Sequence, residues 1–167
     1  MRSMRTALAL LLAILLPGAV TTPAAADPLD GLRGQKRPLL LFSKSRSLSS
    51  LDRQVDLLRE LRPELDERDV VVLVTAANDE TYNAIGYTDL PRGAARQLRR
   101  RFDPFGAGPA TADPTVPGRG ATSGLTVILV GKDGSEKARF RGIVDPETLF
   151  EIIDAMPMRQ RETQAEG

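Results

Sequence analysis

Unbroken apolar runs alternate along this chain with apolar residues at helical spacing, and that alternation predicts the elements. Arg37-Pro-Leu-Leu-Leu-Phe42 and Asp69-Val-Val-Val-Leu-Val-Thr75 are short, continuous and bounded by polar residues, as strands covered on both faces are. Between them Leu51, Val55, Leu58 and Leu61 or Leu65 recur with a helical period, and Asp52, Arg53, Asp56, Arg59 and Glu60 fall on the other face. Ser49 or Ser50 is placed to cap that helix, and Pro63, late in the pattern, kinks or shortens it. Two strands joined by a helix form a right-handed, parallel βαβ unit. Residues Ala76 to Leu90 read as a polar loop, and Pro91 to Phe102 as a helix with Ala94, Ala95, Leu98 and Phe102 inward. Leu125-Thr-Val-Ile-Leu-Val130 is a third strand, and the Asp-Gly of Gly131-Lys-Asp-Gly134 turns it into an edge strand at Glu136–Arg141. A last helix has Asp145 as cap, Pro146 at its first position, and Leu149, Phe150, Ile152, Ile153 and Met156 along its apolar side; it ends before Pro157.

The order predicts an α/β domain, a four-stranded mixed sheet with helices on both faces, in the thioredoxin-like arrangement βαβ-α-ββα. The domain occupies residues 27–160 and is followed by a polar C-terminal tail, 161–167. It is interrupted at 103–124 by an insert with four prolines and five glycines, a length of loop that is either mobile or a functional lid. Residues 1–26 carry Arg2 and Arg5, an apolar segment from Ala7 to Leu16 too short for a comfortable membrane span, and Ala24-Ala25-Ala26 before Asp27. That is the pattern of a cleaved signal peptide and predicts a periplasmic or secreted protein with no membrane span after cleavage. Removing Arg2 and Arg5 with the leader turns 23 basic against 22 acidic residues into 21 against 22. A near-neutral domain with 4% aromatic residues offers nucleic acid neither a field nor stacking platforms, so no nucleic acid is expected as a partner.

The chain has no histidine, cysteine or tryptophan. Histidine-based triads, thiol redox chemistry and imidazole or thiolate metal sites are therefore excluded, and no metal or cofactor is implied. The carboxylates Glu64, Asp66, Glu67 and Asp69 lack the spacing of a calcium loop. Chemistry-bearing residues concentrate instead in the loop after the first strand. Lys44, Arg46, Ser47, Ser49 and Ser50 set hydroxyls and two cations at a helix N-terminus, where a small anion is received. In thioredoxin-like folds the reactive cysteine pair lies in this loop; here its positions fall near Ser47 and Ser50, and Gly124 stands where a proline usually precedes the third strand. A redox-dead binding domain is expected, with a solvated, capped loop as the plain alternative and a Ser/Lys/carboxylate hydrolase or transferase as the enzymatic one. Arg92, Arg96 and Arg99 or Arg100 share a helical face suited to an acidic partner such as an envelope protein, to a lipid headgroup surface, or to ordinary solvation. Met158 and Arg159, at the end of Met156-Pro-Met-Arg159, either close the core or present an adaptable contact to a partner.

Three strings carry a resemblance: Leu129-Val-Gly-Lys-Asp-Gly134, Ile153-Asp-Ala-Met-Pro-Met-Arg-Gln160 and Arg68-Asp-Val-Val-Val72. With these the chain resembles a bacterial exported family of unknown function, similar to the peroxiredoxin-like domain of animal sushi-repeat-containing and coiled-coil-domain-containing matrix proteins. The resemblance implies a fold, an extracellular compartment and interaction rather than turnover, and it implies no activity.

Overall fold

A computed structural model describes residues 26–45, 48–106 and 124–166. The leader up to residue 25, Arg46, Ser47 and most of the Gly/Pro insert lie outside the described residues. A 3-10 turn at Asp30–Leu32 precedes β1 (Arg37–Ser43), α1 (Ser49–Glu60), α2 (Arg62–Glu67), β2 (Val70–Thr75), β3 (Thr81–Ile85), α3 (Ala94–Phe102), β4 (Leu125–Val130), β5 (Glu136–Arg141), α4 (Pro146–Asp154) and α5 (Pro157–Glu166).

The sheet is mixed and five-stranded, in the order β3-β2-β1-β4-β5. β1 and β2 run parallel, with Leu40 opposite Leu73, and β4 lies antiparallel on the other side of β1, with Leu40 opposite Ile128. Because side chains alternate across a strand, each central strand feeds two cores. Leu39, Leu41, Val72, Val74, Val127 and Leu129 meet α1, α2 and α4 through Val55, Leu58, Leu65, Leu149 and Ile153. Leu40, Phe42, Val71, Leu73, Ile128 and Val130 meet α3 and the N-terminal turn through Leu98, Phe102, Leu29 and Leu32. Coverage on both faces is why these strands read as unbroken apolar runs.

Three expectations are corrected. The fifth strand, β3, lies within the stretch Ala76–Leu90 that read as loop, and it pairs antiparallel with β2 at the sheet edge. The Thr75 and Thr81 hydroxyls meet at 3.1 Å. The Asn83 side chain holds both backbone groups of Thr88, donating to its carbonyl at 3.0 Å and accepting from its N–H at 3.2 Å. Gly86, at φ +73°, completes that return 3.1 Å from Val71 at the point where a Cβ would sit. Only one side of β3 is covered, so its sequence lacks the apolar density of the others.

The first helix is cut short as Pro63 indicates: it divides at Leu61, and Pro63 takes an early position in α2, where its missing N–H is harmless. Neither Ser49 nor Ser50 caps α1: the N-cap is Leu48, with no side-chain hydrogen bond. Pro157 begins a further helix, so most of the stretch taken as a polar tail is α5. By contrast, Asp145 caps α4 as the sequence indicates, accepting from the Glu147 N–H at 3.0 Å.

Candidate functional site

Parallel strands end at Ser43 and Thr75, and the crevice beyond those ends is where open α/β sheets ordinarily receive ligands. Here it is filled by an arginine. Leu98 and Phe102 turn one side of α3 into the core, which leaves Arg99 between that side and the solvent, leaning over the strand ends. Its Nη2 donates to the carbonyls of Ala76 (2.5 Å), Thr75 (3.3 Å) and Ser43 (3.4 Å). The guanidinium lies 6.0 Å from the Phe42 ring centroid and 5.8 Å from that of Phe105. Asp79 approaches Nε at 3.3 Å, within ion-pair range but without hydrogen-bond alignment. The side chain is 21% exposed, so it closes the crevice while keeping an edge in water.

Lys44 borders this plug. Its N–H donates to the Gly124 carbonyl at 2.9 Å, and its ammonium stands 5.0 Å from the Phe105 ring centroid while the residue stays exposed. Gly124, at φ +64°, brings the chain into β4 beside Lys44 and Leu48. Ser49 is exposed, and the Ser50 Oγ is buried with no hydrogen-bond partner among the described residues. A serine without a base is not an activated nucleophile. Arg46 and Ser47 belong to the same loop by sequence and lie outside the described residues.

The arginine group does not stay together. Arg92 and Arg96 are exposed, with Arg96 only 3.8 Å from Asp79, and Arg100 is exposed beside them; Arg99 turns inward. Met158 and Arg159 are at the far end of the molecule. Met158 is 36% exposed, whereas Arg159 is 4% exposed and donates to the Glu67 carboxylate at 2.6 Å and to the Glu67 carbonyl at 3.1 Å. Arg159 thus ties α5 to the end of α2 and offers no open cation to a partner. Met156, only 9% exposed, is the methionine of that string that closes the core.

Sequence reasoning missed a second set of charged residues, at the amino ends of the parallel strands. Arg37 is 0% exposed; it donates to the Arg68 carbonyl at 2.9 Å and to Glu162 Oε2 at 2.9 Å. Lys132, 8% exposed, donates to Glu162 Oε1 at 2.7 Å and to Asp69 Oδ2 at 2.8 Å, and Lys36 takes Asp69 Oδ1 at 2.8 Å. Burial alone would raise the Asp69 and Glu162 carboxyls; the hydrogen bonds from Lys132 and Lys36 to the first, and from Lys132 and Arg37 to the second, outweigh it and hold both below their ordinary values. The one signal in the sequence was a cation at the opening of a strand that is otherwise apolar.

Elsewhere, a groove of about 270 Å³ runs between α1 and β3, lined by Asp52, Val55, Asp56, Arg59, Tyr82, Asn83 and Ala84. Asp56 and Arg59, neighbours on α1, already pair with each other at 2.6 Å. No cluster of carboxylates among the described residues is arranged to hold a metal ion.

A family model described as a domain of unknown function, DUF4174, matches residues 28–162. The chain belongs to that family. The matched span covers every element of the sheet and ends within α5. The human sushi repeat-containing protein SRPX is 28% identical over 130 residues, which is 77% of this chain and 25% of that protein. This DUF4174 chain therefore spans a quarter of the curated relative it matches. No helix among the described residues is long and apolar enough to cross a membrane.

Proposed function

We propose that this member of the DUF4174 family is an exported, non-catalytic, thioredoxin-like domain, periplasmic or secreted, that binds a protein partner. The observation carrying the reading is the Arg99 plug. The crevice that serves ligands in open α/β sheets is occupied by the chain's own guanidinium, bonded to three carbonyls, while Arg96 and Arg100 on α3 and Arg92 just before it stand exposed. The thioredoxin-like reading is supported by the order β2-β1-β4-β5 inside the sheet, with β1 and β2 parallel and both β4 and β5 antiparallel to their neighbours. Export is supported by the leader pattern of residues 1–26.

An acidic protein surface is the partner that the exposed arginines fit, because guanidinium groups recognise carboxylates in paired geometry. Mild crosslinking of the exported chain in its native envelope, followed by mass spectrometry, is expected to recover a stoichiometric protein. The Arg92→Glu/Arg96→Glu double variant is expected to lose it. Recovery indifferent to that reversal would end the reading. The second reading, a small anion at Lys44, Ser49 and Ser50 with Arg46 and Ser47, is favoured by the unpartnered Ser50 hydroxyl; it predicts a rise in Tm with phosphate or acetate, and an unchanged Tm removes it.

A further inference from the structure

Helix α5 is attached in an unusual way. A docked helix ordinarily buries an apolar stripe. From Pro157 to Ala165 the only buried residue of α5 is Arg159, and Glu162 is half-buried; Pro157, Met158, Gln160, Arg161, Thr163, Gln164 and Ala165 face solvent. A polar helix of ten residues does not persist alone in water. What holds this one is a cation and an anion one turn apart: Arg159 on Glu67, with Asp154 at 3.6 Å, and Glu162 between Arg37 and Lys132.

The receiving side is more elaborate than the helix it receives. Arg37 from β1 and Lys132 from the β4–β5 turn present side chains that are 1% and 8% exposed, and both point at one carboxylate. Among the described residues, the charged groups facing Glu162 are Arg37 and Lys132 directly, then Asp69 just before β2, bound to Lys132, and Lys36 before β1, bound to Asp69. Without Glu162, Arg37 would be left to the Arg68 carbonyl, and Lys132 would share Asp69 with Lys36. The helix leaves from Pro157, directly after Met156, which is anchored in the core, so α5 can separate without disturbing α4.

We propose that Arg37 and Lys132 form a carboxylate-receiving site that Glu162 occupies in cis, and that an acidic side chain of a partner polypeptide takes its place when α5 lifts. The acceptors are fixed by the strand and the hairpin, and the occupant sits on a helix that buries only Arg159 between Pro157 and Ala165. Competition between an internal and an external carboxylate is then a matter of relative population. This site is at the opposite end of the sheet from the α3 arginines, so it stands or falls separately from the partner surface above.

The test uses the whole exported chain and its Glu162→Gln variant. Hydrogen exchange at neutral pH is expected to quicken about tenfold across residues 157–166 in the variant, with strands β1 and β4 nearly unchanged. Wild type in about 0.5 M NaCl is expected to move the same way, which keeps the idea testable if the variant folds poorly. A labelled peptide with the sequence of residues 157–166 is expected to bind the variant about tenfold more tightly than wild type, and a peptide with Gln in place of its first Glu is expected to bind neither. An α5 equally protected in both proteins and indifferent to salt would overturn the latch. Equal peptide affinity for both, or displacement of the peptide by millimolar acetate, would overturn the polypeptide as occupant.

Discussion

The two ends of the central strand pair are each closed by an arginine, and they satisfy it by different means. At the carboxyl ends Arg99 is answered chiefly by three backbone carbonyls, with Asp79 at its edge. At the amino ends Arg37 shares Glu162 with Lys132, and Lys132 shares Asp69 with Lys36. Carbonyls neither titrate nor move without the strand that carries them. Carboxylates on a surface helix do both. The end of the sheet that ordinarily hosts ligands is thus closed by a fixed bond set, and the opposite end is closed by one that acid, salt or a competing anion can loosen.

The largest effect is expected from removing the more deeply buried arginine. Arg37→Ala strands Glu162 and Lys132 around an empty place and should lower stability by about 3 kcal/mol in urea unfolding near neutral pH. The difference between the variant and wild type should then narrow in acid. Glu162 has a folded value depressed below the ordinary 4.5, so its contribution is fully present above that value and is lost as the pH falls through the depressed one. A pH-independent difference would show that the Arg68 carbonyl, rather than Glu162, is what Arg37 needs.

Between the two ends, Gln54 provides an uncharged standard. It is 0% exposed and holds both backbone groups of Val144, accepting at 2.7 Å and donating at 3.1 Å. Gln54→Leu should cost about 2 kcal/mol, with no dependence on salt or acid, because it strands a buried N–H and carbonyl. Arg99→Met comes next, at about 1 to 2 kcal/mol, since the freed carbonyls of Ser43, Thr75 and Ala76 lie near enough to the surface to recruit water. Its urea midpoint should shift equally at low and high salt, and a strong salt dependence would mean that Asp79, not the carbonyls, anchors the guanidinium. The smallest change in stability belongs to Arg96→Glu, within about 0.5 kcal/mol, with loss of the crosslinked partner as its signature.

Much of the fold could be read from residues such as Leu39–Leu41, Val70–Val74 and Val127–Leu129, because a strand covered on two faces must be apolar throughout. β3 could not, since Tyr82, 50% exposed, and Asn83, turned to Thr88, serve an edge where only one side is covered. The candidate loop at Lys44, Ser49 and Ser50 was legible as a position, and the arginine that closes the crevice beside it was not. On a helical wheel Arg99 resembles Arg96 and Arg100; only the placement of α3 over the ends of β1 and β2 turns it inward.

The sequence by itself determined the chemistry this chain lacks, the alternation of strands and helices, and the caps and turns at Asp145 and Asp133-Gly134, because each depends on residue type and near neighbours alone. Tertiary structure decided which charges are buried, that Pro157 opens a helix, and that Arg37, Lys132 and Glu162 meet. Those three residues are 95, 30 and 125 positions apart in pairs along the chain, and no local pattern encodes a contact that exists only when separate elements pack.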